Sequence, residues 1–289
     1  MGDSSTRRMF LAALAAAPAL PQSPKLTAGA VIDLIKANVG VPWAEKTVDR
    51  IIAGLAETPV TGVATTMMAT YDVVRRASKA GLNLVVTHEP TFYSHQDDVE
   101  KLHDDALYQE KLAFLNDNHM VVFHFHDHWH RRKPDGIAYG MMRELGWERY
   151  VDPENQRRFT LPPTPLRAVA EHVRAKLGAS TVRVVGDPKL EVRRVAASWG
   201  YSSQFPAIPI LANPDVDVFV CGETREWEAV EYAADQATAG RKKGLIVIGH
   251  VASEQAGMKY CAEWLRTFLP AMPVELIATR EPFWSPGAA

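Results

Sequence analysis

Two stretches decide the fold: Gly81-Leu82-Asn83-Leu84-Val85-Val86-Thr87-His88 and Gly244-Leu245-Ile246-Val247-Ile248-Gly249-His250. Each is a near-continuous apolar run, too short for a helix and lacking the polar alternation of a strand with one wet face. Runs of this kind are strands buried on both sides, as in sheets that helices cover on either face. A helical pattern leads into each run, and each run delivers a histidine at its exit.

Outward from these anchors, helical and strand-like periodicities alternate. Val31, Leu34 and Ile35 mark one helical face, and Val73, Val74, Ala77 and Ala80 mark another. Further helices are predicted over 102–115, 137–145, 166–177, 227–237 and 255–268. Strands are predicted over 62–68, 82–86, 120–125, 182–185, 192–197, 216–220, 245–248 and 274–277. This order predicts an α/β fold of two similar lobes, with mixed, mostly parallel sheets flanked by helices. The proline-rich Leu161-Pro162-Pro163-Thr164-Pro165 marks the boundary, giving an N-terminal lobe over 26–160 and a C-terminal lobe over 161–289.

The chain of 289 residues is 47% hydrophobic and 23% charged, enough for one large core or two lobes. Its 32 basic and 34 acidic residues leave a formal net charge of -2, so there is no electrostatic footprint for nucleic acid or an anionic membrane. Residues 1–25 read as an export signal and linker. Arg7-Arg8-Met9-Phe10-Leu11 resembles a twin-arginine signal, Ala17-Pro18-Ala19 has the form of a cleavage site, and Pro18, Pro21 and Pro24 break any helix. The apolar run over 10–17 falls short of the roughly 20 residues that span a bilayer. The expectation is a periplasmic or extracellular protein with no membrane attachment after signal removal. Cys221 and Cys261 are too few for a disulfide framework and read as separate buried thiols, with one bridge between them in an oxidising compartment as the alternative.

Three strands end in histidine-containing turns: His88-Glu89-Pro90, then His124-Phe125-His126-Asp127-His128-Trp129-His130, then His250-Val251-Ala252-Ser253-Glu254. Carboxyl ends of strands are where open α/β sheets place ligand sites. Imidazole nitrogen with carboxylate oxygen is a ligand set for zinc, iron or manganese. His250 and Glu254 are four apart, so with Ser253 as a helix cap their side chains converge, and His126 and His130 share that spacing. Glu89 is placed to serve a second ion or to orient the first ligand. His95, His103 and His119 read as surface or turn histidines without convergent partners, and His172 as solvated.

These motifs resemble the Nif3-like (DUF34) dinuclear-metal proteins. That family shows a His-His-Pro turn, a His-x-x-x-Asp turn followed by a glycine and a helix, a Gly-(Asp/Glu) turn and Gly-His-x-x-Ser-Glu. Here the same order reads His88-Glu89-Pro90, His126 to His130 followed by Gly136, Cys221-Gly222-Glu223 and Gly249-His250-Val251-Ala252-Ser253-Glu254. The resemblance places His88, Glu89, His126, His130, His250 and Glu254 at the metal-ligand positions, with the metal site between the lobes. Glu89 stands where the family has histidine and His130 where it has aspartate, so the total of four imidazoles and two carboxylates is kept. Glu226 and Trp227 occupy places where family members carry histidines. The resemblance also implies a ring-shaped homo-hexamer.

Two divalent ions about 3.5–4 Å apart can share a water and lower its pKa toward 7. The expected activity is hydrolysis of an ester, amide, cyclic or phosphoester bond in a small-molecule substrate, with Glu226, Glu223 or Asp127 as proton shuttle. Family members often carry a GTP cyclohydrolase label, and the expectation here is the broader substrate class. A metal-binding or metal-delivery protein without turnover is the competing expectation. No Gly-x-Ser-x-Gly elbow, P-loop or Gly-x-Gly-x-x-Gly fingerprint occurs, which removes support for serine hydrolase, P-loop nucleotidase and dehydrogenase readings.

Overall fold

In the computed structural model, which describes residues 26–284 and 286, both anchor runs are strands with buried side chains on each face. The export segment expected over residues 1–25 lies outside the described residues. In chain order the first elements are α1 (Ala28–Asn38), β1 (Ile51–Ala53), β2 (Val63–Met68), α2 (Tyr71–Lys79), β3 (Leu84–Glu89), α3 (Ala106–Asp117), β4 (Val121–His124), α4 (Asp127–Arg131) and α5 (Gly136–Leu145). They continue with β5 (Val151–Asp152), β6 (Asn155–Pro165), α6 (Leu166–Leu177), β7 (Arg183–Val185), β8 (Glu191–Tyr201), α7 (Gln204–Ala212), β9 (Val218–Glu223), α8 (Glu231–Thr238), β10 (Gly244–Val247), α9 (His250–Arg266) and β11 (Val274–Leu276).

These build two mixed sheets flanked by helices. The first has the order β1-β4-β3-β2-β11 and is parallel except where β1 meets β4. The second has the order β5-β6-β8-β9-β10-β7. Only β8, β9 and β10 run parallel there, so this sheet is less parallel than the sequence predicts. The second sheet already begins at Val151, and β6 runs through the proline-rich stretch read as a lobe boundary. Register between β6 and β8 shifts between Thr160 and Thr164, so Pro162 and Pro163 sit where the ladder is interrupted. After α9 the chain returns through β11 to the first sheet.

Strand parity sorts the core into layers. Leu84 and Val86 of β3 enter a large central cluster, whereas Val85 faces an outer cluster with Val74 and Ala77 of α2 and Leu115 of α3. Val218 and Val220 of β9 likewise face the centre, while Phe219 and Cys221 pack outward with Leu211 of α7 and Ala233 of α8. The cysteines are both free and buried, and they belong to different layers. Between the sheets lie α5, α6 and α9, with α9 touching β2 and β11 of one sheet and β8 and β9 of the other. The Thr65 hydroxyl donates to the Met258 carbonyl at 2.9 Å inside this layer. α7 is a helix not predicted from the sequence, and it carries Pro206 in its first turn and Pro209 in its interior.

Helices α5 and α9 approach each other through glycines. A Cβ at Gly140 would lie 2.5 Å from the Ala256 carbonyl oxygen, and one at Gly257 would lie 2.6 Å from the Ile137 Cα. Both obstacles are backbone, so relief requires the helices to separate. Gly140→Ala is therefore expected to destabilise the protein by about 1–3 kcal/mol, the usual cost of overpacking. Denaturant titration checks this, and an unchanged midpoint would show that the two helices yield freely.

Candidate metal centre

The centre is assembled where α9 enters between the sheets. His88 shares the face of Leu84 and Val86 on β3, so it points inward toward α9. There its Nε2 lies 3.6 Å from Glu254 Oε1, both side chains being almost wholly buried. α9 begins at His250, earlier than predicted, with Gly249 at φ 90 as its N-cap. Ser253, expected as the cap, is instead inside the first turn, where its hydroxyl donates to the His250 carbonyl and accepts from the Gly200 amide. The i,i+4 spacing puts His250 Nε2 3.2 Å from Glu254 Oε2, and the same nitrogen is 3.3 Å from Glu89 Oε1.

The third stretch supplies His126, the N-cap of α4, and His130 within it. Their ring centroids lie 4.6 Å and 4.9 Å from that of His88. His126 Nε2 is 3.9 Å from Glu89 Oε1. Six side chains from three distant segments thus meet. Ligand atoms of His88, His126 and His130 lie within 4.8 Å of one another, as do those of His88, Glu89 and Glu254. The closeness is enforced on the second sheet as well: Gly200, at φ 72, passes so near that a Cβ there would lie 2.4 Å from Glu254 Oε1.

Charge in the centre is unevenly set. Burial, reinforced by His88 and His130, lowers the His126 pKa to about 4 and leaves it a neutral donor. Burial opposes protonation of His250 too, but Glu223, Glu254 and Glu89 push it up to about 12. The same attraction holds Glu254 well below the usual carboxylate range, since burial is outweighed by His88 and His250. His88 Nδ1 and Nε2, His250 Nε2 and Glu254 Oε2 are buried and have no hydrogen-bond partner among the described residues.

The Nδ1 atoms of the other three histidines of the centre are each fixed by a carboxylate. His250 Nδ1 faces Glu223 at 2.9 Å, His126 Nδ1 faces Asp127 at 3.0 Å and His130 Nδ1 faces Asp135 at 3.2 Å. Asp127 also accepts from the Thr47 hydroxyl and the Val48 amide, so it is committed to orienting His126. Asp135 accepts from the Ile137 and Ala138 amides and from Arg157. Beneath the turn, buried Asp49 accepts from the amides of His126, Asp127 and His128 and from His128 Nδ1 at 2.6 Å. It caps α4 from a distant loop, whereas His128 itself is structural, stacked on Trp43 and accepting from the Ala44 amide.

Other readings need correction. Glu226 is exposed and paired with Arg183 at 2.6 Å, and among the described residues it makes no hydrogen bond or ion pair with the cluster. Glu223 does reach the centre, leaving one carboxylate edge toward solvent. His172 is not solvated: its Nε2 lies 2.8 Å from the Leu145 carbonyl and its ring is stacked on Trp147. His103 and His119 are exposed as read. His95 is not isolated, since its ring lies 4.9 Å from His126. Asp49, Asp97, Asp135 and His95 all lacked a local signal, because their partners are supplied by tertiary contact.

This is a two-sheet α/β chain with a histidine and carboxylate centre capable of holding metal ions. It matches the profile of the Duf34/NIF3 (NGG1p interacting factor 3) family over residues 41–282, and it belongs to that family. No curated protein matches significantly. Among solved structures, a Bacillus cereus protein related to NIF3 is similar with a TM-score of 0.72 at 16% identity, covering 91% of this chain and 100% of that one. Protein ybgI, described as of unknown function, gives 0.71 at 20% identity, with 89% and 100% covered. Reduced HcgD from Methanocaldococcus jannaschii gives 0.65 at 16% identity, with 87% and 97% covered. At these identities the likeness is one of fold.

Two outcomes follow from the supporting carboxylates. Asp49→Ala leaves buried amides without an acceptor, each costing about 1–3 kcal/mol; unfolding should show a loss of at least that size, and a near-neutral variant would mean the turn holds itself. Asp127 and Asp135 both sit at about 2, because the bonds from His126 and His130 outweigh burial. A depressed carboxylate contributes stability that is complete above its ordinary value and fades as pH falls from there to about 2. Thermal unfolding midpoints should therefore drop between about pH 4 and 2, and Asp135→Asn should flatten that drop.

Proposed function

We propose that this chain is a dinuclear metal-dependent hydrolase of a small-molecule ester, amide, cyclic or phosphoester bond. The observation that carries the reading is the convergence of four imidazoles and two carboxylates, several of whose buried atoms make no hydrogen bond among the described residues. That donor set suits zinc, iron or manganese and offers few soft ligands. When bound, two such ions supply Lewis-acid polarisation of the scissile group and activation of water near neutral pH.

The chain's own residues then have separable tasks. His88, His126, His130, His250, Glu89 and Glu254 hold the ions. Asp127, Asp135 and Glu223 fix ring orientation through Nδ1. Glu223, half exposed, also has a free carboxylate edge with which to carry a proton to and from solvent. Register pairs Glu223 with Tyr201, and the Arg225 guanidinium lies 5.9 Å from the Tyr201 ring centroid and 5.8 Å from that of Trp227. This exposed cationic and aromatic edge is suited to a planar or anionic substrate. The family resemblance supports a hexameric ring, and residues 1–25 support export as part of the same proposal.

Protein purified without chelator or nickel affinity is expected to carry two ions per chain by elemental analysis. It should turn over at least one member of an ester and phosphoester panel, lose that activity on chelation, and lose it by at least about 100-fold in His250→Ala, given what ligand-supporting residues alone are worth. Stoichiometric metal that exchanges rapidly with no turnover would assign the protein to metal delivery instead.

A further inference from the structure

We propose that His95 is an additional ligand of the centre, completing with Glu89 and His126 a two-histidine, one-carboxylate set for the outer of the two ions. This inference rests on the dinuclear reading above. Ligand atoms of Glu89, His95 and His126 lie within 4.8 Å of one another, and the His95 ring stands at 82° to that of His126. Glu89 is buried, His126 half-buried and His95 exposed, so the three form an edge open to solvent on one side. Two imidazoles and a carboxylate on one side of an ion leave its other positions free for water or substrate, an arrangement used by zinc and non-haem iron.

His95 is held in place rather than merely nearby. It lies on the loop between β3 and α3, and this loop is anchored on both sides of it. Asp97 Oδ1 accepts from the Thr91 and Phe92 amides at 2.8 Å and 2.7 Å, while its Oδ2 lies 3.3 Å from buried His124 Nδ1. Buried Lys111 donates to the Thr91 carbonyl at 2.6 Å, and Arg50 donates to the Gln96 carbonyl. Tyr93 at φ 64 and Asp97 at φ 48 both adopt the left-handed region, so the surrounding contacts impose a backbone that these residues do not prefer. The result is an over-determined loop segment that projects one imidazole beside Glu89.

The partition of ligands follows. His126 Nδ1 is engaged by Asp127, so only Nε2 can bind an ion, and His126 serves one ion alone. Assigning it outward with Glu89 and His95 leaves His88 with Glu254 for the inner ion, consistent with their near-complete burial.

The test is a Co2+ titration of the metal-stripped full-length protein, followed by ligand-field absorption and metal content, with circular dichroism as a check on folding. Wild type should bind two equivalents. His95→Ala should keep the first and bind the second at least about 10–100-fold more weakly, with loss of its absorption band. His103→Ala, an exposed histidine further along the chain, should keep both. If His95→Ala binds two equivalents with wild-type affinity and spectrum, or loses both together, the assignment is overturned while the dinuclear reading stands. A wild type that binds fewer than two equivalents overturns both.

Discussion

Glu254 sits almost wholly out of water, balanced among the described residues by His88 and His250, and much of the molecule is arranged around that burial. An isolated carboxylate in such a place would cost several kcal/mol or take up a proton, so it persists only beside positive charge. Without an ion, protonated His250 supplies that charge. A divalent cation supplies it better, because His250 Nε2 and Glu254 Oε2 are each left without a hydrogen bond of their own. The fold keeps the carboxylate there by packing α9 between two sheets, through glycine contact with α5 and a glycine on β8 beside the carboxylate itself. Position is therefore set by backbone, which does not relax as a side chain would.

The architecture was legible wherever burial on both faces left an uninterrupted apolar run. β3, β9 and β10 could be recognised because central strands cannot afford polar alternation, and the histidines after them stood out as residues a generic turn does not need. Spacing also carried information, since the four-residue steps from His126 to His130 and from His250 to Glu254 are local geometry. It misled only over the cap: Gly249 rather than Ser253 starts α9, because a glycine at φ 90 turns the chain into the helix directly, and Ser253 is needed one turn in to tie β8.

What stayed illegible was of one kind. Asp49 lies 77 residues before the His126 amide it accepts, and nothing in its own neighbourhood distinguishes it from a turn aspartate. Asp97 and Lys111 resemble surface charges in sequence, yet both are buried and tie down the His95 loop. β6 was obscured by prolines that the ladder accommodates at a register shift, and its place in the second sheet blurs the division into lobes. Pairings across such separations depend on which strands become neighbours, and periodicity is silent on that.

The pattern of ring nitrogens ties these parts together. Nδ1 of His126, His128, His130 and His250 each lies within hydrogen-bond distance of a carboxylate, supplied by Asp127, Asp49, Asp135 and Glu223. A carboxylate at Nδ1 holds the proton there and leaves Nε2 as the acceptor. His128 shows the consequence, since its Nε2 accepts the Ala44 amide. For His126, His130 and His250 the same constraint presents Nε2 for coordination, which is the usual arrangement behind metal-ligating histidines. A turn rich in histidine but lacking those carboxylates would present mixed tautomers and mobile rings, and would bind adventitiously. The same logic covers the two sides of the cluster: His130 on α4 is met at once by Asp135, and Glu89 closes β3, so the helix offers an oriented imidazole and the strand end a carboxylate.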